Sequence, residues 1–241
     1  MTDGTPLVMV GTMKGLFLFT GPDRDNLTCS GPHLAGRSVY AAVYDDRNGR
    51  SRILASASSM HWGSTLHISD DLGQTWSEPT VPTLAFPSDA DAALMNIWQL
   101  ALGHDSQPDV VWAGVEPAAL FRSTDAGESF ELVRGLWDHP HRPQWQPGGG
   151  GLCLHTVLPH PADPARMLIA ISAAGNYLTD DAGATWRAAN TGIKAGFLPD
   201  PYPEFGQCVH KVDRDAGDPD RLYLQHHWGI YRSDDGGERW A

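Results

Sequence analysis

The chain has 241 residues, with 17 Lys and Arg against 29 Asp and Glu, a formal net charge of −12. That balance repels phosphate backbones and anionic lipid, and no basic run offsets it locally, which argues against nucleic-acid and membrane partners. No stretch reaches the ~18 apolar residues of a membrane helix, no signal-peptide pattern opens the chain, and three cysteines (Cys29, Cys153, Cys208) make no disulfide framework, so a reducing cytoplasm is the expected compartment.

Residues 7 to 20, LVMVGTMKGLFLFT, read as two strands with a tight connection. The same pair returns in ILASASSMHWGSTLHISDD, VVWAGVEPAALFRSTD, MLIAISAAGNYLTDD and LYLQHHWGIYRSDD, each an apolar strand, a short loop, a second strand and an acidic turn. Ahead of each pair stands another apolar run, residues 39 to 43, 97 to 102, 152 to 158 and 208 to 212, placed as an innermost strand. Residues after each turn would supply an outermost strand, completing a four-stranded antiparallel sheet.

The turns themselves are four copies of one motif: SDDLGQTW from Ser69, STDAGESF from Ser123, TDDAGATW from Thr179 and SDDGGERW from Ser233, recurring every 54 to 56 residues. In each, the Asp (Asp71, Asp125, Asp181, Asp235) is placed to accept backbone N–H bonds within the turn, and the Gly (Gly73, Gly127, Gly183, Gly237) allows positive φ. The closing aromatic (Trp76, Phe130, Trp186, Trp240) fills space between neighbouring sheets. A fixed period with strands and Gly-rich turns in every unit predicts an all-β fold, a β-propeller of four-stranded antiparallel blades forming one domain over 1–241. Five blade modules are counted, the last truncated, and a six- or seven-bladed ring needs roughly 300 to 380 residues, so an incomplete ring is expected.

The turn motif resembles the BNR or Asp-box repeat, SxDxGxTW, met in full at 69–76 and 179–186, with Phe130 and Arg239 as departures in the other two copies. The resemblance implies a propeller like those of sialidases, sortilin-type receptors and the photosystem II assembly factor. The runs GLWDHP, PGGGGLCLH and GQCVHK are similar to those of bacterial BNR proteins labelled exo-sialidase or glycosyl hydrolase. A sialidase needs an arginine triad, a Tyr and Glu nucleophile pair and an acid Asp, and the pattern fails there. No RIP motif is present, and Arg122 and Arg232 stand just before turns, where pairing with local Asp is expected.

Antiparallel order puts the loops between second and third strands, and those between blades, on the face opposite the turns. That face carries Lys14, His61, Trp62, Glu116, Gln225, His226 and His227, and the connection over 135–151 adds Trp137, Asp138, His139, His141 and Trp145 ahead of four glycines. In register, Tyr40, Trp98, His155 and His210 share one position on four innermost strands, and Lys211 follows the last. The first reading is a binding platform for carbohydrate, another small molecule or a protein partner. There Trp62, Trp98 and Trp137 would stack, while His61, His139, His155, His210, Lys211 and His226 would orient the ligand. The second is a glycoside hydrolase with Glu116 and Asp138 as its carboxylates and Glu204 in reserve. The third is a metal site, zinc for example, at Cys153, His155, Cys208 and His210, completed by His61, His139, Glu116 or His226.

Overall fold

The computed structural model describes residues 5–77, 79 and 81–241. Among these residues, seventeen strands make five antiparallel sheets in chain order. The first holds β1 (Leu7–Thr12), β2 (Gly15–Thr20) and β3 (Thr28–His33), and the second β4 (Ala42–Asp45), β5 (Arg52–Ser59) and β6 (Gly63–Ser69). The third holds β7 (Asn96–Leu102), β8 (Val111–Glu116), β9 (Ala119–Ser123) and β10 (Glu131–Leu132). A short helix, α1 (Arg134–Trp137), follows it. The fourth holds β11 (Leu154–His160), β12 (Asp163–Ile171), β13 (Gly175–Thr179) and β14 (Arg187–Ala188), and the fifth β15 (Val209–Arg214), β16 (Leu222–His226) and β17 (Gly229–Ser233). The innermost strands β4, β7, β11 and β15 pack against their neighbours in turn, which is the blade arrangement of a propeller.

Both faces of a blade are covered, and the sequence reflects it. Strand β5 is a near-continuous buried run, because Ile53 enters the core between the first and second sheets while Leu54 enters the core between the second and third. Leu168 and Ile169 of β12 divide in the same way between the two cores flanking the fourth sheet. Alternate side chains of a strand point to opposite faces, so an apolar run rather than an alternating one marks a strand sandwiched on both sides.

The four turn motifs share one bond set. Ser69 Oγ donates to Asp71 Oδ1 at 2.8 Å and accepts from the Gly73 amide at 2.8 Å, while Asp71 accepts from the Thr75 amide at 2.9 Å and the Thr75 hydroxyl at 2.6 Å. Ser123 and Thr179 repeat the scheme with Asp125 and Asp181, and Ser233 repeats it with Asp235 except that Arg239 offers an amide and no hydroxyl. Each turn glycine lies against the preceding sheet. A Cβ on Gly73 would stand 2.7 Å from Leu18 Cδ1, one on Gly237 2.6 Å from Leu168 Cδ1, and one on Gly127 would overlap Leu54 Cδ2. On the same face, Arg52 bridges Asp70 of its own turn and Glu128 of the next, and Arg187 joins Asp180 to Glu238.

Several expectations need correction. The innermost strand of the second sheet is β4 at 42–45 rather than 39–43, because the Tyr40 and Ala41 amides both bond the Ser56 hydroxyl and break the ladder there. The outermost strand is two residues long in β10 and β14. In the fifth sheet a pair of backbone bonds between Arg232 and Ala241 stands in its place, and in the second sheet no such strand occurs among the described residues. Arg232 pairs with Asp234 at 2.7 Å as anticipated, but the Arg122 guanidinium lies over the Trp112 ring, 5.4 Å from its centroid.

Candidate functional site

The innermost strands carry a repeated irregularity at the end away from the turns. Ile97 pairs with Val115 and Gln99 with Gly114, leaving Trp98 as an extra, bulged residue. His155 is bulged between Leu154 and Thr156, and His210 between Val209 and Lys211. Tyr40 falls in the equivalent gap between the Ser38–Ser58 bridge and the Ala42–Ala55 pair. A bulge re-aims the side chain of the extra residue and bends its strand. Here it re-aims one aromatic or imidazole ring in each of four sheets, the second to the fifth.

Between these strands lies a cavity of about 440 Å³, lined by Trp98, Cys153, His155, Ser172, Cys208, His210 and His227 and roofed by Gly148 to Gly151. The glycine flap closes through reciprocal backbone bonds between Gly148 and Gly151, at 3.3 and 3.1 Å. Ser172 Oγ holds it, donating to the Gly151 carbonyl at 3.1 Å and accepting from the Cys153 amide at 2.9 Å. Gly151, at φ +91°, allows the Glu116 carboxylate to lie where a Cβ would otherwise project. Glu116 Oε2 accepts from the Trp98 indole N–H and the Asn96 amide, both at 3.1 Å, which fixes the plane of the indole; the Tyr40 ring packs 4.8 Å from it.

The titratable groups have distinct states. His155 Nε2 faces the Val209 carbonyl at 3.0 Å, an acceptor, so it carries the proton, and Nδ1 meets Thr156 Oγ1 at 3.0 Å. Burial, aided by Lys211 and His210, pushes His155 down to about 4. His226 is buried, its Nε2 accepting from the Cys208 amide at 3.1 Å, and burial with the neighbouring His227 and His210 pushes it down to about 4 as well. The Cys153 thiol is raised to about 12 by burial and by the Glu116 carboxylate. His210 and His227 are exposed, with their Nε2 atoms 3.2 Å apart, and a ring nitrogen of each and the Cys208 sulfur all lie within 4.8 Å of one another.

Of the residues singled out from the sequence, Trp98, Cys153, His155, Cys208 and His210 therefore line one cavity, and Glu116 supports it from behind. Others lie elsewhere. Trp137 is buried in the core between the second and third sheets against Phe86, and Asp138 ends α1, which packs through Gly135 on the carbonyls of Gly183 and Ala184 in the fourth sheet's turn. His139 donates to the Trp186 carbonyl, and His141 and Trp145 converge on the Tyr177 hydroxyl. The cause is the path of residues 133–147, which fill the space between sheets in place of a full fourth strand. Trp62 borders a separate depression with Arg37 and His67, while Lys211 is absent from the cavity lining. His155 and His226 have their ring nitrogens occupied by the fold, and the buried Cys153 thiol stays protonated, so none of the three is disposed to ligate a metal. The sequence places His227 and the four glycines on this face without giving either a role, and it gives no signal for Ser172.

No protein-family model and no curated protein sequence matches the chain. Solved structures do. The GH74 xyloglucanase from Xanthomonas campestris superposes with a TM-score of 0.61 at 18% identity, over 98% of this chain and 36% of that one. YCF48 from Cyanidioschyzon merolae gives 0.54 at 14%, over 94% and 65%, and a chain of the COPII outer coat on membranes gives 0.61 at 12%, over 96% and 56%. This chain thus spans less than two thirds of each. At these identities the likeness is one of fold: the molecule is a β-propeller. No helix among the described residues is long and apolar enough to cross a membrane.

Proposed function

We propose that this chain is a ligand-binding propeller that takes a carbohydrate in the cavity between the inner strands, at the end opposite the four turns. The observation that carries the reading is the Trp98 indole, held in plane by Glu116 at the wall of a cavity whose rim offers His210 and His227. A flat, pre-oriented aromatic face suits a sugar ring, and a few polar groups at the rim set its orientation. The glycine flap leaves backbone groups near the ligand without side-chain bulk. The likeness to a xyloglucanase propeller makes xyloglucan oligosaccharides the first probe.

A glycoside-hydrolase reading has no geometric support. Two carboxylates ~5 to 9.5 Å apart are required, no carboxylate is among the cavity-lining residues described, and Asp138 ends a helix packed on the fourth sheet's turn, whereas Glu116 ends β8 away from the turns.

The test is a glycan array followed by calorimetric titration of the best hit, beside xyloglucan oligosaccharides, with native protein and Trp98→Ala. Loss of tenfold or more in affinity is expected, since a buried aromatic anchor commonly contributes that much. Binding indifferent to Trp98→Ala, or none on a broad array, overturns the reading.

A further inference from the structure

We propose that Cys208, His210 and His227 bind a zinc ion at the wall of this cavity, leaving a fourth coordination position for water or ligand. The inference deepens the reading of the same cavity as a ligand site. Its ligand set differs from the one the sequence suggested, because Cys153 and His155 drop out and His227 enters.

Two imidazole nitrogens on one tetrahedral zinc, each about 2.0 to 2.1 Å from it, stand roughly 3.3 Å apart, and a thiolate at about 2.3 Å stands only slightly farther from each. His210 Nε2 and His227 Nε2 are 3.2 Å apart already, and the Cys208 sulfur lies within 4.8 Å of a ring nitrogen of each. Small χ changes in two exposed side chains close the difference. The bulge at His210 is what permits this. Cys208 and His210 share one side of the strand while Val209 between them is fully buried, and His227 enters from the connection between β16 and β17.

The Cys208 amide is held by His226, which fixes the strand end that carries the sulfur. Thiolate with imidazole is a donor set that suits zinc, and no fourth His, Cys, Asp or Glu joins the group among the described residues. Three protein ligands facing a cavity is the arrangement of an open site rather than a closed structural one. On binding, the Cys208 S–H proton passes to solvent and the sulfur lone pair forms the metal bond, so one proton is released per ion.

The experiment uses the full chain, stripped with chelator, dialysed, and titrated with Co²⁺ and then Zn²⁺. One equivalent of Co²⁺ should produce a thiolate-to-cobalt charge-transfer band and the intense visible bands of tetrahedral cobalt, and Zn²⁺ should displace both. Cys208→Ser should abolish the charge-transfer band, His227→Gln should weaken affinity at least tenfold, and His104→Gln, a histidine outside the group whose ring bonds Ser106, should change nothing. No band with the native protein, or a band that persists in Cys208→Ser, overturns the proposal. Circular dichroism checks each variant; should Cys208→Ser unfold, unchanged affinity in His227→Gln is sufficient to overturn it. Xyloglucan-oligosaccharide titration of the metal-free and zinc-loaded protein separates the two readings. Metal without sugar binding in either form keeps the zinc site and removes the carbohydrate reading, and sugar binding without metal uptake does the reverse.

Discussion

His155 on the inner strand of the fourth blade donates its Nε2 proton to the carbonyl of Val209 on the inner strand of the fifth, at 3.0 Å. The bond crosses a blade boundary at the same bulge position that presents Trp98 and His210 to the cavity. One ring of equivalent residues is therefore split between holding blades together and facing a ligand.

Replacing His155 with Ala should lower unfolding free energy by about 1 kcal/mol or somewhat more, because the Val209 carbonyl loses its partner in a semi-buried place. His227→Ala, on an exposed connection, should stay within about 0.5 kcal/mol of native. Urea denaturation followed by tryptophan fluorescence measures both. Equal stability of the His155 variant and the native protein would contradict the inter-blade role.

Stability should fall between neutral and mildly acidic pH. His155 and His226 titrate near 4 when folded because burial disfavours their charged forms, against about 6.5 unfolded. Below 6.5 the unfolded chain takes up protons that the folded one refuses, so stability is whole above about 6.5 and declines as pH drops toward 4. The urea midpoint at pH 7.5 should exceed that at pH 5, and His226→Gln should flatten the dependence.

A second acid transition comes from the turns. Asp71 and Asp181 are held down at about 2 by the hydroxyl and then the amide of Thr75 and Thr185, respectively. In Asp125 and Asp235 burial works against ionisation, but bonds from Ser123 and Ser129, and from the Arg239 amide and Ser233, outweigh it and lower both. Folded values below the unfolded one mean stability present above about 4 and lost as pH falls toward 2. Asp181→Asn should reduce the loss over that interval in a pH series of thermal melts.

Gly127→Ala should cost roughly 2 kcal/mol or more, since the turn needs φ +93° and the added methyl would overlap Leu54 of the preceding blade. Gly149→Ala, at the flap tip with open space around it, should leave stability within about 0.5 kcal/mol. Thermal melting of the two variants side by side is the check; a native-like Gly127→Ala would mean the blades do not seat on their turns as described.

The sequence by itself determined the blade repeat and the turns, because every bond of the turn joins residues two to four apart, as from Ser69 to Asp71 and from Thr75 back to Asp71. It also placed Trp98, His155 and His210 at one register position, since the period is regular enough to align. Tertiary structure alone decided what those positions do. Trp137, His139 and Trp145 looked like a loop cluster, yet the segment around them has almost no fourth strand to cover its sheet and so fills that space with its own aromatics. His155 and His210 share a register position, but a carbonyl from the next blade claims one and leaves the other to meet His227. That choice depends on backbone atoms more than fifty residues away, a distance over which residue types along a chain carry no record of contact.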